Sequence, residues 1–307
     1  MVFLNILIPL LLGSIGVILN LILIVKFMKI KKSAVTNFTK LCLCKAISNF
    51  VMSASFPFWI VPFSMLEFKI QNIPRTLNVI VSEFVGIFTY YFGPFILICM
   101  SINRFIAIYF PFSTISKKPF FTNFGIFISI LLASSPVFVP KIFSCYIIYD
   151  PETTIFSSEN YDRCGEAMNQ FFVISIVTLA LISNLINLVI FAKLMKDKMS
   201  GVSEAQKSKR RKKWQTMYIQ SVIQDFLQAV DIINLYYTSG LFDDPLWVFV
   251  FTSVSFSSVY MLDGATMVYF HSNFKLVCSC KIASTKNVVM VSGKESSAFK
   301  LATNSKI

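Results

Sequence analysis

Apolar residues recur along this chain in runs too long to be the stripe of a soluble helix. Seven windows reach about 20 residues, the length a helix needs to cross a bilayer core. They are Leu4–Phe27, Leu41–Met65, Phe84–Tyr109, Phe120–Val139, Phe171–Leu194, Trp214–Thr238 and Leu246–Phe270. The pattern predicts an all-α membrane protein, a seven-helix transmembrane bundle with short connections. Residues 1–273 form one membrane domain on this reading, and residues 274–307 a disordered tail. The sixth window differs from the rest, because Gln220, Gln224, Gln228 and Asp231 recur in it at spacings of 4, 4 and 3. Such spacing gathers them into one narrow helical stripe, which must face the bundle interior because lipid offers no hydrogen-bond partner.

Basic residues orient the bundle. Of 28 Lys and Arg, 23 fall in alternate connections and the tail, including Lys26 to Lys40, Arg104 to Lys118, Lys193 to Lys213 and Lys275 to Lys306. By the excess of cations on the cytoplasmic side, the amino terminus is outside and the carboxyl terminus inside. The first window has no positive residue before it and several after it, which predicts a retained span and not a cleaved signal.

Composition agrees: 55% of the 307 residues are hydrophobic and only 14% charged, against about 25% charged in soluble domains. The net charge of +13 reads as a topology signal that also meets anionic membrane lipid, and no nucleic-acid partner is expected. With His271 the single histidine, multi-histidine metal centres are excluded, and a histidine-dependent hydrolase would rest on that residue alone. No catalytic residue, metal or cofactor is expected.

Polar groups within the spans are costly and ask for partners. Asn20, Asn49, Gln224, Asp225 and Asp263 form either a structural network or a conformational switch. No cation is expected deep in a span, Lys45 standing just inside the second, so the aspartates are expected to be protonated, hydrated or sharing a cation. Pro57, Pro62, Pro94 and Pro136 kink their helices and open cavities. Tyr90 and Tyr91, with Gln228 and Asp231, are candidate ligand contacts, whereas Tyr236, Tyr237 and Trp247 suit an interfacial aromatic belt. Cys145 and Cys164 share the external compartment and are expected to pair, closing a loop worth about 3 kcal/mol. The acidic residues of that loop read as an ordinary solvated cap. Cys278 and Cys280, beside Lys275 and Lys281, are candidates for palmitoylation.

Several strings together resemble the G-protein-coupled receptors, and more narrowly the nematode serpentine chemoreceptors of class X. They are GSIGVILN (Gly13 to Asn20), INRF (Ile102 to Phe105), the loop from Cys145 to Cys164, YIQSVIQD (Tyr218 to Asp225) and LDG (Leu262 to Gly264). The resemblance extends to about Asn273. It implies a receptor in the plasma membrane of a sensory neuron, with no enzymatic activity. An external small molecule would bind among the helices and favour coupling to a heterotrimeric G protein. The coupling residues would be Asn103, Arg104, Lys209, Arg210, Arg211, Lys212 and Lys213.

The chain also departs from the broader rhodopsin-like pattern. Asn103 stands where that group carries an acid, no cysteine lies at the outer end of the third span, and no lysine lies in the seventh. Two rival readings follow from the aspartates. A transporter or ligand-gated channel would use Asp225, Asp231 and Asp263 as ion sites, and an intramembrane protease would pair Asp225 with Asp263.

Overall fold

The computed structural model describes residues 2–31, 35–66, 68–110, 118–151, 155–199 and 204–285, without side chains at 2–5, 155, 161, 197–199, 204–214 and 272–285. Lys32, Pro111, Lys117, Glu152 and residues 286–307 lie outside the described residues, as do the side chains of Lys207 to Lys213, Cys278 and Cys280.

Among the described residues the chain forms seven long helices. They are α1 (Val2–Met28), α2 (Asn37–Met65), α3 (Arg75–Tyr109), α4 (Pro119–Ile142), α5 (Glu166–Met199), α6 (Glu204–Ile233) and α7, which starts at Pro245 and ends at Thr285. Between α4 and α5 lies an antiparallel hairpin of β1 (Ile147–Asp150) and β2 (Ile155–Ser158), with Ile147 opposite Ser158. The chain divides into two compact units, Met1–Val268 and Tyr269–Ile307. The site described below lies wholly within the first.

Six of the helices, all but α6, are long and apolar enough to cross a membrane. Their exposed faces carry residues such as Ile18, Phe124, Leu181 and Leu185, each more than half exposed. That outward apolar surface suits hydrocarbon rather than water. Helix α6 lacks the average hydropathy because Gln220, Gln224, Asp225, Gln228 and Asp231 lower it, and these same groups are buried. Gln220, Gln224 and Asp231 are at most 2% exposed and Gln228 6%, as the stripe requires.

Helix ends follow local chemistry. Thr36 caps α2, its hydroxyl accepting from the Thr39 amide at 3.1 Å. Asp244 caps α7 by accepting from the Leu246 and Trp247 amides, with Pro245 in the first turn, where its missing N–H costs nothing. Helix α3 begins at Arg75, well before the apolar window at Phe84, because Arg75, Asn78 and Glu83 find polar partners outside their own helix.

Glycines set two close approaches. A Cβ on Gly16 would stand 2.5 Å from the Ser53 hydroxyl of α2, and one on Gly264 would stand 2.8 Å from the Asn20 amide nitrogen. Small residues at these positions let backbones meet. Gly264→Ala is therefore expected to lower stability by about 1–3 kcal/mol through forced displacement of Asn20. Gly240→Ala, with nothing within 4 Å of its Cβ, serves as the control, and thermal unfolding in lipid nanodiscs is the measurement.

Candidate ligand cavity and polar core

The hairpin is fastened to the bundle from several sides. Cys145 and Cys164 form a disulfide with Cα atoms 5.9 Å apart. Asn78 of α3 grips β1 twice: its amide donates to the Tyr149 carbonyl and its oxygen accepts from the Tyr149 N–H, both at 2.9 Å. The Tyr149 hydroxyl reaches Ser64 of α2 at 3.0 Å. Arg75 holds Glu159 through two hydrogen bonds of 2.6 and 2.8 Å and lies over the Tyr146 ring. Noncovalent bonds thus tie the hairpin to the amino-terminal end of α3, where no cysteine lies.

Beneath the hairpin is a cavity of about 310 Å³, near the lower end of the roughly 300–1,000 Å³ usual for small-molecule sites. Phe156, Ser157 and Ser158 of the hairpin roof it, and α2, α3, α5, α6 and α7 form much of the wall. The helical walls share one local feature. Among the described residues wide π turns interrupt or extend five helices; one, at Tyr161–Gly165 ahead of α5, does not line the cavity, and the other four lie at Phe56–Ile60, Ser82–Phe88, Asn234–Thr238 and Val250–Val254. Each of the four contributes lining residues: Phe56 and Ile60, Gly86 and Ile87, Leu235 and Tyr236, Thr252 and Ser253. A π turn carries an extra residue per hydrogen-bonded loop and so bulges and redirects side chains, a distortion found often at functional sites.

Tyr90 and Tyr91 line the cavity, as expected of ligand contacts, whereas Gln228 and Asp231 are buried but are not among its lining residues. Asp231 is one step removed. Its carboxylate accepts from the Ser255 hydroxyl at 3.0 Å and from the Tyr90 hydroxyl at 3.4 Å, which joins α3, α6 and α7. Tyr91 reaches Ser175 of α5. The expected belt is corrected in one respect. Tyr236 lines the cavity, while Tyr237 is 63% exposed and Trp247 donates to the Thr238 carbonyl at 2.7 Å. Hydropathy cannot separate the two tyrosines, because adjacent residues lie about 100° apart around a helix and only packing decides which faces in.

Further from the hairpin the bundle holds a polar core. Lys45 of α2 pairs with Asp263 of α7 at 3.0 Å, both about 3% exposed. This overturns the expectation that no cation lies deep in a span, and of the three states expected for the aspartates it gives Asp263 a shared cation. The lysine stem runs inward from near the helix end, and its nitrogen lies where a Cβ on Gly93 would stand 2.8 Å away. Asp263 also accepts from Asn49 at 2.8 Å and from Gln224, which in turn accepts from Gln220. Asn20 packs nearby, donating to the Gly16 carbonyl at 2.8 Å.

Asp225 belongs to a separate set. It accepts from Ser183 at 2.8 Å and Asn187 at 3.2 Å on α5, and Ser101 of α3 hydrogen-bonds to both of those residues. Arg104 completes this set. It is 1% exposed and donates to the Met100 and Met217 carbonyls and to Ser101, the Met217 bond being 2.6 Å. The arginine therefore turns into the bundle and bridges α3 to α6. Its neighbour Asn103 is only partly buried. Asp225 and Asp263 bind different partners, so the two do not form a carboxyl pair.

Sequence reading placed Lys45 just inside the second span without giving it a partner, and passed over Glu83, Phe156, Phe172 and Phe256. Lys45 had a signal, since it lies one helical turn from Asn49 and so shares its face. Glu83, 2% exposed and paired with Lys141 at 2.6 Å, was hidden by its place just outside an apolar window. The three phenylalanines carried no signal among the 33 in the chain.

With this geometry in view, comparison with known proteins decides the kinship. Residues 10–271 match the family described as serpentine type 7TM GPCR chemoreceptor Srx. The chain belongs to this family. No curated protein was found to match it. Family membership and the apolar helices together make it a multi-pass membrane protein of the chemosensory receptor type.

Two outcomes are expected. Lys45→Met should strand the buried Asp263 carboxylate and cost about 3–5 kcal/mol, and adding Asp263→Leu should recover much of the loss; thermal unfolding of both variants checks this. The second concerns the exposed clasp. The Arg75 hydrogen bonds hold the Glu159 carboxyl below its ordinary value, so the clasp is fully present above that value and is lost as pH falls through the lowered one. Hydrogen exchange of the hairpin should rise on acidification in this range, and Arg75→Gln should abolish the dependence.

Proposed function

We propose that this Srx protein is a G-protein-coupled chemosensory receptor for an external small molecule, with seven spans, amino terminus outside and carboxyl terminus cytoplasmic. The observation that carries the reading is the family match together with a cavity whose wall includes Tyr90, itself bonded to a polar chain across α3, α6 and α7. The 23 basic residues in alternate connections support the orientation, and with it the hairpin caps the external side.

On this reading Tyr90 and Tyr91 contact the ligand, with Gln228 and Asp231 behind them. Arg104 lies 14 residues along α3 from Tyr90, roughly 21 Å at 1.5 Å per residue. It bonds the Met217 carbonyl of α6, and that bond must part for α6 to move outward. A ligand with higher affinity for the parted arrangement shifts the population toward it. Asn103, Arg104 and the Lys209 to Lys213 segment then face the heterotrimeric G protein, while Asn20, Asn49, Gln224, Asp225 and Asp263 form the internal switch. Residues 1–273 are the receptor body, and residues 274–307 its cytoplasmic tail, with Cys278 and Cys280 available for palmitoylation. The setting is the plasma membrane of a sensory neuron.

Expression with a panel of G proteins and a screen of odorants and secreted small molecules tests the reading. A ligand-dependent G-protein response is expected, and Arg104→Ala should abolish or deregulate it while leaving surface expression measurable. Ligand-dependent current in cells without any G protein would instead establish a channel.

A further inference from the structure

The cavity wall has a chemical character that narrows what it can hold. Of the described residues lining it, none is Asp, Glu, Lys, Arg or His. Its broad surfaces are aromatic and aliphatic, with Phe56, Tyr91, Phe172 and Phe256 among them. The polar groups on the wall are neutral, and some are already engaged. Thr252 donates its hydroxyl proton to the Val248 carbonyl at 2.7 Å, and Ser239 donates to the Leu235 carbonyl at 2.7 Å. Each keeps acceptor capacity but brings no charge.

Asp231, one hydrogen bond behind the wall residue Tyr90, is not itself among the lining residues. Tyr90 presents its ring to the cavity and its hydroxyl to Asp231, whose other oxygen accepts from Ser255. The ion pairs of the hairpin end, Arg75 with Glu159 and Lys141 with Glu83, are closed on themselves, and none of the four residues lines the cavity. A charged ligand entering here would lose its hydration without gaining a counter-charge, which is strongly unfavourable in an apolar surround.

We infer that the cavity beneath the hairpin takes an uncharged, largely apolar molecule, of the size of a substituted bicyclic aromatic, and excludes amines and carboxylates of the same shape. The size follows from a volume of about 310 Å³, at the lower end of the roughly 300–1,000 Å³ of small-molecule sites. Asp150, Glu159, Asp162 and Glu166 do not select a cation on this view, because none of them is among the lining residues. The inference rests on the receptor reading for its claim that ligand binds in this cavity.

Direct binding tests it without any G protein. The full chain in lipid nanodiscs is loaded with the neutral fluorophore N-phenyl-1-naphthylamine, and three indoles of matched ring and chain compete for it. Tryptophol is neutral, tryptamine a cation and indole-3-acetate an anion. Tryptophol should displace the fluorophore at a concentration at least about tenfold lower than either charged analogue, since only it escapes the desolvation cost. Thr252→Phe, which fills the cavity, should remove the displaceable signal. Equal or better competition by a charged analogue overturns the inference, as does the absence of competition by all three. The competition on the unaltered chain decides the matter even if Thr252→Phe does not fold. Because coupling is not read, a failed G-protein response leaves this result standing, and a charged ligand leaves the receptor reading standing.

Discussion

Burial of charge at the middle of an apolar bundle is the constraint around which this molecule is arranged. Lys45 and Arg104 bring two cations inside, and Asp225 and Asp263 bring two anions, each at most 3% exposed. Their formal charges cancel, and each is further satisfied by amides, hydroxyls or backbone carbonyls. A charge in such surroundings is tolerable only when paired and hydrogen-bonded. Five helices must therefore meet in one register: α2 and α7 through Lys45 and Asp263, α6 through Gln224 and Asp225, α3 and α5 through Ser101, Ser183 and Asn187. The close approach of α1 and α7 at Asn20 and Gly264 belongs to the same requirement.

The hairpin end is built on a different principle. Its interior is apolar and aromatic, and the charges of Arg75, Glu159, Lys141 and Glu83 are held in pairs of their own outside the cavity wall. Four π turns lie in the wall there, and the roof is held by a disulfide, an asparagine clamp and an arginine clasp. The hydroxyl of the wall residue Tyr90 reaches a buried carboxylate, that of Asp231. Through it the apolar chamber and the polar interior share three helices, which is the physical route by which occupancy of one could bias the other.

Much of the architecture was legible without coordinates. Gln220, Gln224, Gln228 and Asp231 announced an inward stripe by spacing alone, and all four are buried. Cys145 and Cys164 could be matched because no other cysteine shares their loop, and Tyr90 and Tyr91 drew notice as aromatics at a kinked segment. Lys45 was misjudged because hydropathy records the position of a Cα and not the reach of a four-carbon stem. Glu83 and Phe156 were passed over because their partners lie on other elements, Lys141 on α4 and the wall of the cavity beneath the hairpin.

The sequence by itself determined which segments are apolar enough to span, where cations accumulate between them, and which face of α6 must avoid lipid. These follow from solvation, which acts on each residue according to its chemistry and its helical period. Only the tertiary structure decided which cation meets which anion, that Arg104 turns inward to a carbonyl of α6, and that four separate π turns gather around one chamber. Those outcomes depend on distances of about 3 Å between residues far apart in the chain, and no local pattern encodes such a distance.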